Sequence, residues 1–518
     1  MTSIVATVAE TEDERPAVGR GDALRVTWVQ PEDLVGHELR QAAQDGRDPR
    51  AVAAVADAWR DAGGAPAPCA AGASPSPAPP RLRALAERLL DELAALPGGC
   101  ADREPTDLSA ILAACPDWPA APRCGGQGGG PVDGDTAGAD ASVGSRHLPR
   151  PTAPGHGRVD ALHAAWLGRA VGCLLGKPVE KLPLAGIRAL ATATGNWPLR
   201  TWFTAEGLPD DLARAHPWNR RSAATSLAEN IDGMPEDDDL NYPLLNLLLL
   251  QRYGRGFTTR DVAALWLDEL PAGRTFTAER IAYRNLLAGV EPPDTARHHN
   301  PFREWIGAAI RADVHGWTHP GNPGAAAAQA HRDAVLTHTA NGVYAAMFVA
   351  ATIAAAGGGS STAASGTAGS GARVHQALAT GLTVVPPRSR LAGAVRLGIE
   401  TARAEAEFDA VVDRLHRAFG HYHWVHAVPN AALLAAALTH ADGDFGGAVC
   451  RAVSGGWDTD SNGATAGSIS GLLVGHPAGL GERWTGPLKN RLATSVGTFD
   501  GIGFDALAHL THQEAQRP

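Results

Sequence analysis

The stretch Gly455-Gly456-Trp457-Asp458-Thr459-Asp460-Ser461-Asn462-Gly463-Ala464-Thr465-Ala466-Gly467-Ser468-Ile469-Ser470-Gly471 decides how this chain is read. Its second half sets Gly463, Gly467 and Gly471 four residues apart, with Ala464, Ala466, Ser468 and Ser470 between them. On a helix this spacing lets a neighbouring backbone approach one face closely. The first half offers oxygen ligands from Asp458, Asp460 and Ser461 just ahead of that helix, and no Lys or Arg occurs between Arg451 and Arg483. Alternating oxygen ligands before a glycine also open a calcium loop of the EF-hand type, which needs a bidentate Glu at its twelfth position. Counted from Asp458 that position is Ile469, so the EF-hand reading fails.

A second acidic run, Pro235-Glu236-Asp237-Asp238-Asp239-Leu240-Asn241-Tyr242-Pro243, leads into the apolar segment 244–250. Proline lacks an N–H and clashes deep inside a helix, so Pro243 is expected in the first turn, with the helix beginning near Leu240. Acids at a helix start are ordinarily explained by capping and the helix dipole. Here, however, no Lys or Arg lies between Arg221 and Arg252. Adjacent carboxylates repel one another and gain from a bound cation. A tightly packed glycine helix would hold the Asp458–Ser461 turn rigidly. If its neighbour carries Asp237, Asp238 and Asp239, five carboxylates and the Ser461 hydroxyl converge. Oxygen-only ligands suit hard cations, Mg²⁺ or Mn²⁺ rather than zinc, and two ions would balance most of the charge.

The rest of the chain is consistent with a large helical enzyme carrying an appendage. Its 518 residues exceed the usual size of one domain. A net charge of −10 offers no footprint for nucleic acid or an anionic membrane. The N-terminus lacks a basic segment followed by an apolar run, and apolar runs such as 343–356 fall short of the roughly 18–20 residues of a bilayer span. A cytoplasmic protein is expected, with neither nucleic acid nor membrane as partner. Four of the six cysteines lie in the N-terminal third without a CxxC pair, which argues against both a disulfide framework and a zinc site.

Helical spacing appears twice within 24–62 and again over 82–96. Residues 119–157 are dominated by Gly, Pro, Ala, Asp and Ser, so the boundary is placed there: an N-terminal extension, partly disordered, over 1–157 and a catalytic domain over 158–518. From Arg158 onward helical segments recur, among them 159–175, 184–193, 240–253, 301–312, 341–355, 431–438 and 462–474, with no alternating strand run of useful length. The domain reads as all-α, and the low-complexity segment 356–372 reads as a surface loop.

Four blocks in order give the chain its likeness to a known family. They are Gly168 through Gly172, Cys173, Gly176, Pro178 and Glu180; Asp237 to Asp239; Gly307, Arg311, Asp313 and Gly316 through Thr337-His338; and Gly456-Trp457-Asp458-Thr459-Asp460-Ser461 with its small-residue helix. Together they resemble the ADP-ribosylglycohydrolase family. Asp237 stands where that family has Thr, Ser461 replaces a second Thr, Cys173 replaces an Asp, and Trp457 is inserted. A register one residue earlier, Glu236 to Asp238, fits the second block as well.

The resemblance implies an orthogonal multi-helix bundle with two Mg²⁺ (or Mn²⁺) in a cleft, cleaving the glycosidic bond at the anomeric carbon of ADP-ribose attached to a side chain. It implies metal ligands among Asp237, Asp238, Asp239, Asp458, Asp460 and Ser461, and catalytic roles for Glu180, Asp238 and Asp460. Cys173 is left out of that set. Such ions bind the vicinal ribose hydroxyls and position water, and glycoside cleavage needs carboxylates near an oxocarbenium-like centre.

Secondary candidates for substrate contact are Gly307, Arg311 and Gly316 towards a diphosphate, His338, and Trp457 as a stacking surface. Packing roles are the competing reading for each. His421, His423 and His426 around Trp424 fit no familiar metal spacing. Three activities follow: hydrolysis of an ADP-ribosylated protein, arginine-linked first; hydrolysis of a small ribosyl metabolite; or binding of ADP-ribose without turnover.

Overall fold

The computed structural model describes residues 24–69, 72–120, 156–358 and 367–517, in two compact units, Met1–Pro97 and Gly98–Pro518. The smaller unit holds the helices Pro31–Gln44, Pro49–Asp61 and Pro80–Ala95. Each begins with a proline at its first position, where the missing N–H costs nothing. Buried Glu32 and Asp33 are neutralised by Arg25 at 2.9 and 3.1 Å, and the Ser74 N–H donates to Asp33 at 3.0 Å. Part of the Pro-rich segment after Gly63 is thus built into the unit.

The division at Pro97/Gly98 falls earlier than the 157/158 boundary drawn from composition. Residues 98–120 belong to the larger unit, where Ile111 and Cys115 are buried in its core and polar anchors add to them. Arg390 donates to both carboxylate oxygens of Glu104, and the Tyr344 hydroxyl donates to the Pro105 carbonyl. Composition detects where chain is poor in apolar residues. It does not detect a short helix and its flanks that find fixed partners far along the chain.

Among the described residues the larger unit is all-α, its only strand-like contacts being two isolated bridges. At its centre the helices His156–Gly176 and Thr459–Val474 lie backbone to backbone. A Cβ built on Gly168 would stand 2.2 Å from the Gly467 carbonyl oxygen, on Gly172 1.8 Å from that of Gly463, and on Gly176 2.4 Å from the Asp460 nitrogen. From the other side, Gly463, Gly467 and Gly471 meet the carbonyls of Gly172, Gly168 and Ala164. The glycine helix Thr459–Val474 therefore meets the helix His156–Gly176, the first long helix of the unit, at its close-approach face. The acidic Asp238–Tyr253 helix packs elsewhere around the pair.

Several local expectations are corrected. The Asp238–Tyr253 helix begins two residues before Leu240, which puts Pro243 in its sixth position rather than its first turn. The carbonyl that Pro243 leaves without an N–H partner is that of Asp239, and Arg169 Nε donates to it at 2.7 Å. Segment 301–312 is a run of turns followed by the 3₁₀ helix Ile306–Arg311. There the backbone bridges across to His426, and the Ile306 N–H donates to the Val425 carbonyl at 3.0 Å.

The described residues of 356–372 lie at two helix ends rather than in a loop. Ala340–Gly357 closes on one side and Thr367–Leu382 opens on the other, while 359–366 lie outside the described residues. Small residues serve packing here: a Cβ on Gly371 would sit 2.3 Å from Asp442 Oδ1. The Ala340–Gly357 helix reaches 18 residues, long and apolar enough to span a bilayer by length alone. Some 83% of that span is buried, which makes it a core helix.

Candidate active site

Two helix starts and one helix end build the acid cluster. Asp237 is the N-cap of Asp238–Tyr253, its Oδ1 accepting from the Asp239 N–H at 2.9 Å. Glu236 faces away, its Oε1 accepting from Asn241 at 2.9 Å and Ser495 at 2.7 Å and its Oε2 from Arg274 at 3.1 Å.

Asp458 precedes the Thr459–Val474 helix, in a turn that passes through the left-handed region at Gly456 (φ 78°) and Trp457 (φ 55°). Glycine adopts that region freely, whereas tryptophan pays about 1–2 kcal/mol for it. What holds Trp457 there is a parallel stack on His416, with ring centroids 3.8 Å apart and planes 8° apart, while His416 Nε2 lies 2.8 Å from the Gly455 carbonyl. Asn430 Oδ1 accepts from the Asp458 N–H at 3.1 Å and from Asn462 at 2.7 Å. Thr459 Oγ1 donates to the Gly176 carbonyl at 2.8 Å and ties the turn to the end of the first helix. The Ser461 hydroxyl donates to Asp239 Oδ2 at 3.1 Å, so the two acidic runs meet directly.

The absence of nearby basic residues in the sequence does not survive folding. Arg169 is fully buried and donates to Asp239 Oδ1 at 3.0 Å and to Asp313 Oδ2 at 2.9 Å. Lys177 forms an ion pair with Asp237 Oδ2 and reaches the Glu236 carbonyl at 3.4 Å. Cys173, set aside in the sequence reading, offers its sulfur in one group with carboxylate oxygens of Asp237 and Asp239, all within 4.8 Å of one another. Glu180 follows the 3₁₀ turn Lys177–Val179, with Oε2 accepting from Asn219 at 2.6 Å and Oε1 paired with Lys181 at 2.9 Å.

Proton affinities record the crowding. Burial, then repulsion from Asp237, Asp239, Asp460 and Glu180, raises Asp238 well above the ordinary carboxylate range. Burial, then Asp460, does the same to Asp458. Burial, followed by Glu180 and Asp237, pushes Asp460 up to about 7. Burial alone would also raise Asp237, but the Lys177 charge outweighs it and holds this carboxyl low. The Cys173 thiol is pushed up by burial, then by Asp237 and Asp239, and stays neutral. No hydrogen bond from the described residues reaches the half-buried Asp238 carboxylate. Asp238, Asp458 and Asp460 offer only oxygen donors that repel one another unless a cation or protons intervene, while among the described residues of this cluster Cys173, Asp237 and Asp239 are the three whose ligand atoms come within reach of one ion.

Four candidates for substrate contact do not come to this cluster. Arg311 is fully buried and donates to Asp333 Oδ2 at 2.6 Å, Glu279 Oε1 at 3.0 Å and Thr337 Oγ1 at 2.8 Å. Gly307 admits the Glu279 carboxylate, which a Cβ would meet at 2.1 Å, and Gly316 sits against Ile353 at 2.6 Å. His338 is fully buried, its Nδ1 2.6 Å from Thr337 Oγ1. Arg311, with Gly307 and His338 beside it, belongs to an internal ion network, and Gly316 to core packing. Trp457 does flank the acids, though only 6% exposed. His426 lies 3.7 Å from Glu304, and His423 stacks on Trp305, so the histidines around Trp424 serve packing and pairing.

Sequence reading missed Arg169, Lys177, Asn219 and Asn430. Lys177 and Arg169 stood inside the first quoted block, at four-residue steps along the glycine face or next to it. A buried helix face bearing cations was the available signal.

An all-helical body thus carries a carboxylate cluster at the ends of its closest-packed helices. The model of the ADP-ribosylglycohydrolase family matches residues 155–516, and the chain belongs to that family of hydrolases acting on ADP-ribosyl substrates. A solved chain described as an "ADP-ribosylglycohydrolase-related protein complex" is 20% identical over 69% of this chain and 99% of that one, with a TM-score of 0.42. No curated protein matches.

Proposed function

We propose that the protein is a Mg²⁺-dependent ADP-ribosylhydrolase, Mn²⁺ substituting, that releases ADP-ribose from a modified side chain, arginine-linked in the first instance. The observation that supports it most is the convergence of Asp238, Asp458 and Asp460, from two separate helix starts, on the Glu180 end of the first helix, with all three carboxyls raised by burial and mutual repulsion. A divalent cation bound by these carboxylates supplies Lewis acidity and a template for the ribose hydroxyls.

Glu180 is the carboxylate at the more open edge, its side chain 19% exposed and held by Asn219 and Lys181. In this reading it takes the proton of the attacking water as the water oxygen bonds to the anomeric carbon and the bond to the side-chain nitrogen breaks. Asn430 and Thr459 keep the Asp458 turn in place, and Trp457 forms one wall. The described cysteines 69, 100, 115, 173 and 450 are free thiols, which supports a reducing compartment such as the cytoplasm.

The test is release of free ADP-ribose from an arginine-ADP-ribosylated protein, with Mg²⁺ and with a chelator, beside a panel of small N-ribosides. Chelator-sensitive release from the protein is expected. Turnover of the panel alone would refute the protein substrate, and no turnover of either would refute the enzyme.

A further inference from the structure

We propose that Arg221 and Arg280, whose guanidinium groups share the ring of Phe276, form a cationic lip beside the acid cluster that binds the diphosphate of an ADP-ribosyl group. The proposal rests on the ADP-ribosylhydrolase reading above, which is what brings a diphosphate to this face.

Two tethers place the lip. On one side Asn219 donates to Glu180 Oε2 at 2.6 Å, and its own Oδ1 accepts from the Arg221 N–H at 3.2 Å. On the other side Arg274 donates at 3.1 Å to Oε2 of Glu236, the residue before Asp237, and Arg280 Nη2 donates to the Gly273 carbonyl next to it at 3.3 Å. The segment bearing Arg221 is thus tied to Glu180, and the segment bearing Phe276 and Arg280 to the first acidic run. Phe276 joins the two: Arg221 Cζ lies 5.6 Å and Arg280 Cζ 5.5 Å from its ring centroid, so a ligand lying along that ring meets both cations.

Packing accounts for one arginine on a ring, but two like charges beside one ring repel unless an anion intervenes. Arg221 is exposed, and no carboxylate pairs with it among the described residues. The backbone is strained at the same place. Thr277, directly after Phe276, is β-branched and sits at φ 35°, in the left-handed region that favours glycine. Charge supplies the remaining reason. A diphosphate approaching this chain faces a net charge of −10 and, at the site itself, the carboxylates of both acidic runs. Cations at the rim offset that repulsion and let the attached sugar come close. Guanidinium suits the part, because its fork donates two parallel hydrogen bonds to phosphate oxygens.

The test is titration calorimetry of the full-length protein with ADP-ribose in excess Mg²⁺, beside release of ADP-ribose from the arginine-modified protein. Arg221→Gln is expected to bind ADP-ribose about 10- to 100-fold more weakly, the value of one charged hydrogen-bonding partner. Arg221→Lys should recover part of the loss, since it restores the charge without the fork. At an exposed rim the loss should also shrink in about 0.5 M salt. Affinity of Arg221→Gln within about twofold of wild type overturns the proposal. A loss of equal size at low and high salt, with no recovery in Arg221→Lys, marks a structural effect and overturns it too. Wild type that binds ADP-ribose through Arg221 yet releases none from the modified protein supports the lip and refutes the hydrolase reading. Wild type that binds no ADP-ribose overturns both.

Discussion

Gly172→Ala places one methyl where the two central helices touch. Its Cβ would stand 1.8 Å from the Gly463 oxygen, 2.2 Å from the Gly463 carbon and 2.8 Å from the Ala464 nitrogen, where ordinary contact begins at 3.4 Å. The helices must therefore part by roughly 1.5 Å, and overpacking of this kind costs about 1–3 kcal/mol. The upper end applies, because the blocking atoms are backbone and the same helices are locked at Gly467 and Gly168, where a Cβ would come within 1.9 Å. Gly157→Ala is the control on the same helix. It is exposed with nothing within 4 Å, and gains about 0.5–1 kcal/mol from helix propensity. Urea unfolding followed by tryptophan fluorescence should separate the two variants by about 4 kcal/mol, with opposite signs relative to wild type. Because Gly176 abuts the Asp460 backbone, Gly172→Ala should also weaken Mn²⁺ binding. A loss below about 1 kcal/mol, or the same sign for both variants, would refute backbone contact as the reason for the glycine spacing.

Arg169→Met strands Asp239 and Asp313 in the interior, and a loss of about 3–5 kcal/mol is expected in the same unfolding assay, partly recovered when Asp313→Asn is added. Asn430→Ala removes the acceptor of the Asp458 and Asn462 donors and should cost about 1–3 kcal/mol, with weaker Mn²⁺ binding read by titration. Burial lowers His319 from 6.5 to about 4. The unfolded chain therefore takes up a proton below pH 6.5 that the native state refuses. Its contribution is complete above pH 6.5 and is lost as pH falls towards 4, by about 3 kcal/mol. Melting temperature against pH should fall less steeply over that window in His319→Gln, and parallel curves would count against the assignment.

Much of the fold and half of the site can be read along the chain. That both acidic runs precede helices, the close-approach face of Gly463, Gly467 and Gly471, and the failure of a calcium loop at Ile469 all depend on groups a few residues apart, where capping and periodicity act. Partner choice does not. The acidic runs looked cation-poor, yet Lys177 and Arg169 arrive from 60 and 70 residues away to pair with Asp237 and Asp239. Pro243 signalled a helix start but marks instead the carbonyl that Arg169 occupies. Arg311 carried the right charge for a diphosphate and is enclosed by Glu279 and Asp333. Burial of apolar surface is non-directional, so it selects which helices meet without leaving a local trace. The charge balance at Asp237, Cys173 and Lys177 was therefore decided only when Gly168, Gly172 and Gly176 brought the first helix against the last acidic turn.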